Sequence, residues 1–503
     1  MMHEPMMDER VTRERSTQQA TTQWSDKYEM VVGLEVHVQL RTQSKAFCGC
    51  SADFGAPPNV NTCPVCLALP GALPVLNAEA VRLAVRAALA LCCNVNVTSV
   101  FARKNYFYPD LPKGYQISQF DQPLATQGKL QVRVPGEESP KHIAITRLHM
   151  EEDAGRSVHD RYVGFTAIDL NRAGVPLIEI VSEPDMRSSA EAGAYLRAMK
   201  QLLEYSGVSD VSMEEGSLRV DANVSARLHG ETALGTKTEV KNVSSFSAVE
   251  RALDSEFERQ CALIDTGGTV QQQTMLWDAS HGTVRPARSK EESHDYRYFP
   301  DPDLPPLILD PAYVERLRRS MPELPDALRT RFTTHFKLSE AELDGVTSSP
   351  RLAAYYEGVA RASDDPKAAA NWVMGEVSAA LNEHGVTIDS FPVHTEQLAQ
   401  LISMVRDGEL SHTAAKTVFA TMRATGKPAG VVAAESGLMQ VGDDAQLNEW
   451  IDEVLVEMPA EAARFRAGEK KLTGVLVGAV MKKSQGRADP KKVNKLLSQR
   501  ASS

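Results

Sequence analysis

The sequence predicts an α+β domain, a one-faced antiparallel sheet with helices packed on one side, followed by an all-α region. Two observations carry this. Segments of strict two-residue alternation recur before Phe299, and after the proline-rich "FPDPDLPPLILDP" the alternation stops and alanine-rich helical periodicity replaces it.

A chain of 503 residues exceeds what one core serves, so two or three domains are expected. With 42% hydrophobic and 24% charged residues and no apolar run long enough to span a bilayer, a membrane protein is excluded as the reading. Residues 1–27 mix Glu4, Asp8, Glu9 and Glu14 with Arg10, Arg13 and Arg15 and lack an apolar stretch, so they are expected to be a disordered extension and not a targeting segment. Seven cysteines, an odd number with four clustered, fit a reducing compartment, and cytoplasm is the expected location.

The elements follow in order. "EMVVGLEVHVQL" sets Met30, Val32, Leu34, Val36, Val38 and Leu40 on one side of a strand and Glu35, His37 and Gln39 on the other. Asn77 is placed to cap a helix running to about Cys92. Residues 103–124, "RKNYFYPDLPKGYQISQFDQPL", combine five aromatics with Arg103, Lys104 and Lys113 between prolines, the composition of an ordered functional loop. "PLIEIVSE" puts Glu179 and Glu183 on one side of a third strand. Ser188, with Glu191 three residues on, and Gly207 bracket a helix with the pattern of a capping box and a glycine stop.

"SLRVDANVSARL" turns Leu218, Val220, Ala222, Val224, Ala226 and Leu228 inward and Arg219, Asp221 and Asn223 outward. "GETALGTKT" resembles a phosphate loop, but Thr236 separates Gly235 from Lys237 and no apolar-periodic helix follows, so it reads as a hairpin turn. "TKTEVKNV" then places Lys237, Glu239 and Lys241 together on a fourth strand. Domain limits are expected at 28–305, 306–430 and 431–503. From Arg464 onward eleven basic residues face two acidic ones, 11 − 2 = +9, on a chain whose net charge is −11. Such a tail is either a solvated helical face or a surface for phosphate backbone.

Two groups of residues point to chemistry. Cys48 and Cys50 form CxC, Cys63 and Cys66 form CxxC, and twelve residues separate the pairs. Four thiolates suit tetrahedral zinc and leave no open position, so this site is structural. The polar strand faces collect Glu35, His37, Glu179, Asp221 and Glu239, with "RLHMEEDAG" adding His149, Glu151, Glu152 and Asp153. Mixed with Arg219, Lys237, Lys241 and Asn223, they offer oxygen ligands for magnesium beside cations for phosphates, the parts phosphoryl transfer requires. The competing readings are a plain solvated face and a non-catalytic RNA-binding adaptor.

"GLEVHVQL", the two cysteine pairs, "RKNYFYPDLPKGYQISQ", "RLHMEEDAG", "DLNRAGVPLIEIVSEPD", "RVDANVS", "TEVKNVSSF", "SHDYRYFPDPDLPP" and the terminal "LVGAVMKKSQGRADPKKVNKLL" resemble the GatB family, the B subunits of tRNA-dependent amidotransferases. The resemblance runs from about residue 28 to the end. It implies a cradle domain related to glutamine synthetase, a helical domain, and a YqeY-like tail that meets tRNA, with the GatB/YqeY homology beginning near residue 357. It also implies an activity: ATP, with Mg2+, phosphorylates the side-chain carboxylate of mischarged Glu-tRNA(Gln) or Asp-tRNA(Asn), and ammonia then displaces phosphate. This chain carries no amidase Ser-Ser-Lys signature, so ammonia is expected from a GatA-type glutaminase subunit, with a GatC-type small subunit completing a heterotrimer.

Carried over by position, Glu35, His37, Glu179 and one glutamate of "HMEED" are the metal-binding group. Strand parity leaves Glu151 against Glu152 open, and the family motif favours Glu152. Arg219 and Lys241 are assigned to ATP phosphates. Cys48, Cys50, Cys63 and Cys66 correspond to the family's zinc ligands.

Overall fold

The computed structural model describes residues 24–287, 295–440, 444–467, 469, 471–484 and 487–501. It divides into two compact units between Leu324 and Pro325. Of the expected N-terminal extension, only residues 24–27 are described; there Trp24 lies against the Tyr28 ring and Lys27 pairs with Asp265.

The strands of the first unit are β1 (Tyr28–Gln39), β2 (Asn94–Val95), β3 (Thr98–Ser99), β4 (Phe101–Asn105), β5 (Tyr115–Gln119), β6 (Ala125–Val132), β7 (Lys141–Glu152) and β8 (Arg156–Tyr162). Then come β9 (Phe165–Asp169), β10 (Pro176–Ser182), β11 (Leu218–Leu228), β12 (Thr238–Lys241), β13 (Thr274–Asp278), β14 (Thr283–Pro286), β15 (Phe299–Pro300) and β16 (Leu307–Ile308). Nine of them form one sheet in the order β14-β13-β12-β11-β1-β10-β7-β6-β2. The alternation of β1 decides which side is buried: Val32, Leu34, Val36 and Val38 are at most 1% exposed. They share a core with α1 (Ala78–Ala90), α2 (Ser189–Ser206) and α3 (Phe246–Asp265), through residues such as Ala84, Leu196, Leu203, Val249 and Leu253. Helices cover this side and leave the other face polar.

Local capping is as the residue types dictate. Asn77 accepts from the N–H groups of Glu79 and Ala80, and Ser188 accepts from that of Glu191. Gly207 closes α2 in the left-handed conformation at φ 70°. The capping box is incomplete, because the Glu191 carboxylate bonds Lys141 and the Arg187 N–H instead of the Ser188 N–H. "GETALGTKT" is the connection of the antiparallel pair β11–β12. Gly230 sits there at φ +87°, and a Cβ at Gly235 would lie 2.2 Å from the Ala226 carbonyl oxygen.

Several expectations need correction. The sheet is not wholly antiparallel: β12 and β13 pair in parallel, with α3 as the crossover between them. Leu228 ends 40% exposed because it is the last residue of β11. The β10 register shifts at Val181/Ser182 and the strand ends at Ser182, so Glu183 leaves the row of Glu179 and takes Thr146 as partner. The 103–124 segment is not one loop but the hairpin β4–β5, joined by β15 into a three-stranded sheet. The limit at 305/306 also falls short: Leu304, Leu309 and Leu317 pack into the first core, and α4 (Pro311–Arg319) belongs to it. The proline stretch there serves as edge pairing, β15 on β4 and β16 on β3, and not as a linker.

The second unit is helical, from Pro325–Phe336 through Pro490–Ala501. The limit at 430/431 cuts the helix Ala429–Glu435, whose Ala429, Val432 and Ala433 are buried. A separate cluster begins at Leu447 and gathers Ile451, Val454, Phe465, Leu476, Val480, Val493 and Leu497.

Candidate functional site: a polar sheet face with two ligand groups

Sheet register aligns the polar residues. Arg219 on β11, His37 on β1, Glu179 on β10 and His149 on β7 stand opposite one another across four adjoining strands. One row along, Asp221 stands opposite Glu35. Because side chains alternate with period two, each strand contributes its polar residues to the same face.

Within this face the side chains gather into two groups whose ligand atoms lie within 4.8 Å of one another: His37, Glu151 and Glu179, and Glu35, Asp221 and Glu239. They adjoin, because β1 supplies His37 to one and Glu35 to the other. In the first group the Glu179 carboxylate is 3.3 Å from both the His37 and the His149 Nε2 atoms, and His149 Nε2 is 3.2 Å from Glu151 Oε1. Burial works against both charges, yet the hydrogen bonds prevail: His149 is raised to about 9, and Glu151 is held down to about 2. Glu179 is lowered for the same reason, its burial outweighed by the two imidazoles. In the second group burial and the neighbouring Glu179 raise Glu35, against the hydrogen bond from Asn223. Carboxylates crowded until one resists ionisation are a donor set that a hard divalent cation relieves.

Register separates Glu151 from Glu152. Glu151 pairs with Leu177 and Glu152 with Pro176, so Glu151 shares the face of His149 and Glu179 while Glu152 turns to the other side. There Lys113 and the Ile117 N–H, at 3.0 Å, bind the Glu152 carboxylate. The assignment of Glu152 to the group is corrected to Glu151. The β4–β5 hairpin holds Glu151 in place: Ser118 Oγ donates to it at 2.7 Å and Gln116 Nε2 at 3.1 Å.

The two cations differ in setting. Lys241 Nζ bonds Asp221 at 2.9 Å and lies 3.1 Å from Glu239, which raises its pKa despite burial. It therefore edges the second group. Arg219 is turned to Asp153, 3.0 Å away, which also accepts from Gln39. Its side chain stays 36% exposed, so the guanidinium still reaches solvent on the polar face.

The cysteines form the third ligand set. Cys66 Sγ lies 3.4 Å from Cys48 Sγ and 3.7 Å from those of Cys50 and Cys63. A tetrahedron with zinc–sulfur arms of about 2.3 Å has edges of about 3.8 Å, so the four sulfurs fit such an ion. The bond from Cys48, with Lys45 nearby, holds the Cys66 thiol down to about 4 against burial, while burial pushes Cys50 up to about 11. Lys45 itself is fully buried and donates to the Asn61 carbonyl at 2.7 Å, the Leu170 carbonyl at 3.3 Å and Cys66 Sγ at 3.4 Å.

Against known families, residues 30–315 match the GatB/GatE catalytic domain and residues 354–500 match the GatB domain. The chain belongs to the GatB family. Among its relatives are proteins named as the B subunit of aspartyl/glutamyl-tRNA(Asn/Gln) amidotransferase. That of Geotalea uraniireducens is 52% identical over 94% of this chain and 98% of its own length. Those of Trichlorobacter lovleyi and a Thermoanaerobacter species are 50% and 49% identical, over 99% and 100% of their lengths. The GatB catalytic match spans β1 to α4, so it contains the whole polar face and the cysteine cluster. The second match covers most of the helical unit.

For this GatB-family chain, the fold brings together Glu35, His37, Glu179 and Lys241 on one face and gathers all four cysteines, while Arg219 stands beside them in the row. Sequence reasoning named His149, Asp221 and Glu239 as carboxylate-face stock without giving them a place in the ligand set. It missed Lys45, Gln116 and Ser118 as supports; a lysine between a strand and a CxC pair carries no periodic signal. No helix among the described residues is long and apolar enough to cross a membrane.

Proposed function

We propose that this chain is the kinase and transamidase subunit of a tRNA-dependent amidotransferase, acting on mischarged Glu-tRNA(Gln), Asp-tRNA(Asn) or both. The observation that supports this most is the pair of adjoining acidic groups, His37/Glu151/Glu179 and Glu35/Asp221/Glu239, on the polar sheet face with Lys241 at its edge. The first unit is then read as the glutamine-synthetase-like cradle.

Bound Mg2+ would supply neutralisation of the triphosphate charge. His149 keeps the Glu151 and Glu179 carboxylates aimed at one point, and Ser118 and Gln116 stop Glu151 from turning away. Lys241 and Arg219 offer cationic contacts to phosphate oxygens. With the nucleotide so held, an oxygen of the substrate's side-chain carboxylate attacks the γ-phosphorus and ADP departs. This converts a poor leaving group into phosphate. Ammonia then attacks the acyl carbon, loses a proton, and expels phosphate to leave the amide.

Ammonia comes from a partner, read as a GatA-type glutaminase subunit, with a GatC-type small subunit bracing the pair in a cytoplasmic heterotrimer. The four cysteines hold a structural Zn2+. The YqeY-like tail meets tRNA: Lys471, Lys482, Lys491 and Lys495 are exposed there, although Lys483 and Arg500 are paired with Glu453 and Asp452. The test is the purified complex given ATP, glutamine and each mischarged tRNA in turn. ATP cleavage that depends on mischarged tRNA, with amide product, is expected. RNA binding with no such cleavage would replace this reading with the adaptor.

A further inference from the structure

The 103–124 hairpin has more aromatic surface than holding Glu151 requires. Lys104 stands opposite Gln116 in the β4–β5 register, on the side that reaches Glu151. Its ammonium sits 4.9 Å above the Tyr296 ring. From there the rings run on without a break: Tyr296 to Tyr298 at 6.0 Å, and Tyr298 to Phe120 at 4.2 Å with planes 5° apart. In the other direction Tyr106 lies 6.1 Å from Tyr296 and Tyr108 6.2 Å from Tyr106. Much of this surface is open, with Phe120 47%, Tyr296 38% and Tyr108 52% exposed.

We infer that this aromatic row, with Lys104, is a stacking platform for the unpaired 3′-terminal nucleotides of the acylated tRNA. The inference rests on the function proposed above and names the subsite that delivers the substrate. An amino acid esterified to the terminal ribose can place its side-chain carboxylate at the acidic groups only if that nucleoside lies within the length of one extended amino acid. The platform is joined to those groups through Gln116 and Lys104. Five linked rings exceed what one adenine can cover, and suit consecutive bases of a single strand, which stack on aromatics regardless of sequence. Lys104, with the exposed Arg297 between Tyr296 and Tyr298, brings positive charge complementary to the backbone phosphates. The cations of the nucleotide-triphosphate end, Lys241 and Arg219, stand on β12 and β11, across the sheet from β7 where the hairpin attaches.

The experiment uses the full chain with its partner subunits and compares Phe120→Leu, Tyr298→Leu and Phe120→Trp. The probe for binding is tRNA carrying 2-aminopurine in place of its terminal adenine, whose fluorescence is quenched by stacking. The leucine variants should lose that quenching and raise the KM for mischarged tRNA about tenfold, the loss of one stacked base. The KM for ATP should stay within twofold, and Phe120→Trp should match the unaltered protein. Unchanged quenching and tRNA KM in both leucine variants would overturn the platform, as would a rise in the ATP KM alone, which would make it an adenine site for the nucleotide. A tryptophan variant as impaired as leucine would show packing and not stacking. Quenching is read without turnover, so absence of transamidation in the unaltered complex would count against the function while leaving the platform to be judged separately.

Discussion

The four thiols of the cysteine cluster come from nineteen consecutive positions, whereas the ligands of the polar face run from Glu35 to Glu239 and sit on β1, β7, β10, β11 and β12. A short loop that closes on an ion would carry its geometry in its spacing, and the zinc proposed there would supply much of its stability, about 10–16 kcal/mol in zinc-binding peptides. The polar face has no such local source. Its geometry comes from the hydrogen-bond register of the sheet, where a slip of one residue would turn every ligand to the covered side. The core beneath, with Val32, Val36, Val224 and Ile180 all fully buried, is what prevents that slip. Damage to the cysteine cluster should therefore stay local, and damage to the face should strike the chemistry.

The sharpest test of that contrast is Glu179→Gln. Losing a carboxylate shared by His37, His149 and the proposed metal should lower the transamidation kcat by roughly 10²- to 10³-fold, with tRNA affinity unchanged. Full turnover would remove Glu179 from the machinery. Next in size is the adjacent pair. Glu151→Gln should raise the Mg2+ concentration needed for half-maximal activity tenfold or more, whereas Glu152→Gln should leave it within twofold and instead cost about 2 kcal/mol of stability by removing the charge that pairs with the part-buried Lys113. The same Mg2+ dependence in both variants would show that register does not decide the ligand.

On the cysteine side, Cys63→Ser with Cys66→Ser should abolish zinc retention after dialysis against chelator and make residues 48–66 the first site of limited proteolysis, while the Mg2+ requirement stays unchanged. One tightly held zinc per double-mutant chain would refute the cluster. Lys45→Met is milder: it removes the donor to Cys66 Sγ and to two carbonyls, and zinc release to a chromogenic chelator should speed up 10- to 100-fold. Release at the normal rate would confine Lys45 to packing. The smallest effect is expected from Lys482→Ala with Lys491→Ala in the tail, which should flatten the salt dependence of tRNA binding by a log–log slope of about 1.5. An unchanged slope would leave these lysines as a solvated surface.

Much of this was legible in the chain. Period-two alternation in "EMVVGLEVHVQL" and "SLRVDANVSARL" chose the buried side of β1 and β11, since a strand has only two faces. Cysteine spacing and the Asn77 and Ser188 caps are local matters and were readable for that reason. Glu151 against Glu152 was not legible, because two neighbours on a strand are distinguished only by what that strand pairs with, here Leu177 and Pro176 of β10. The parallel β12–β13 pair, the partition of Glu35 from His37 into separate groups, and the stacking of Phe120 on Tyr298 across 178 positions, 298 − 120, belong equally to the tertiary structure. By itself the sequence determined which residues could serve as ligands and which side of each strand they occupy, for these follow from covalent spacing and backbone period. Which of them meet was decided by long-range register and by the hairpin laid over the face, because contacts between distant segments exist only once the core has set the strands side by side.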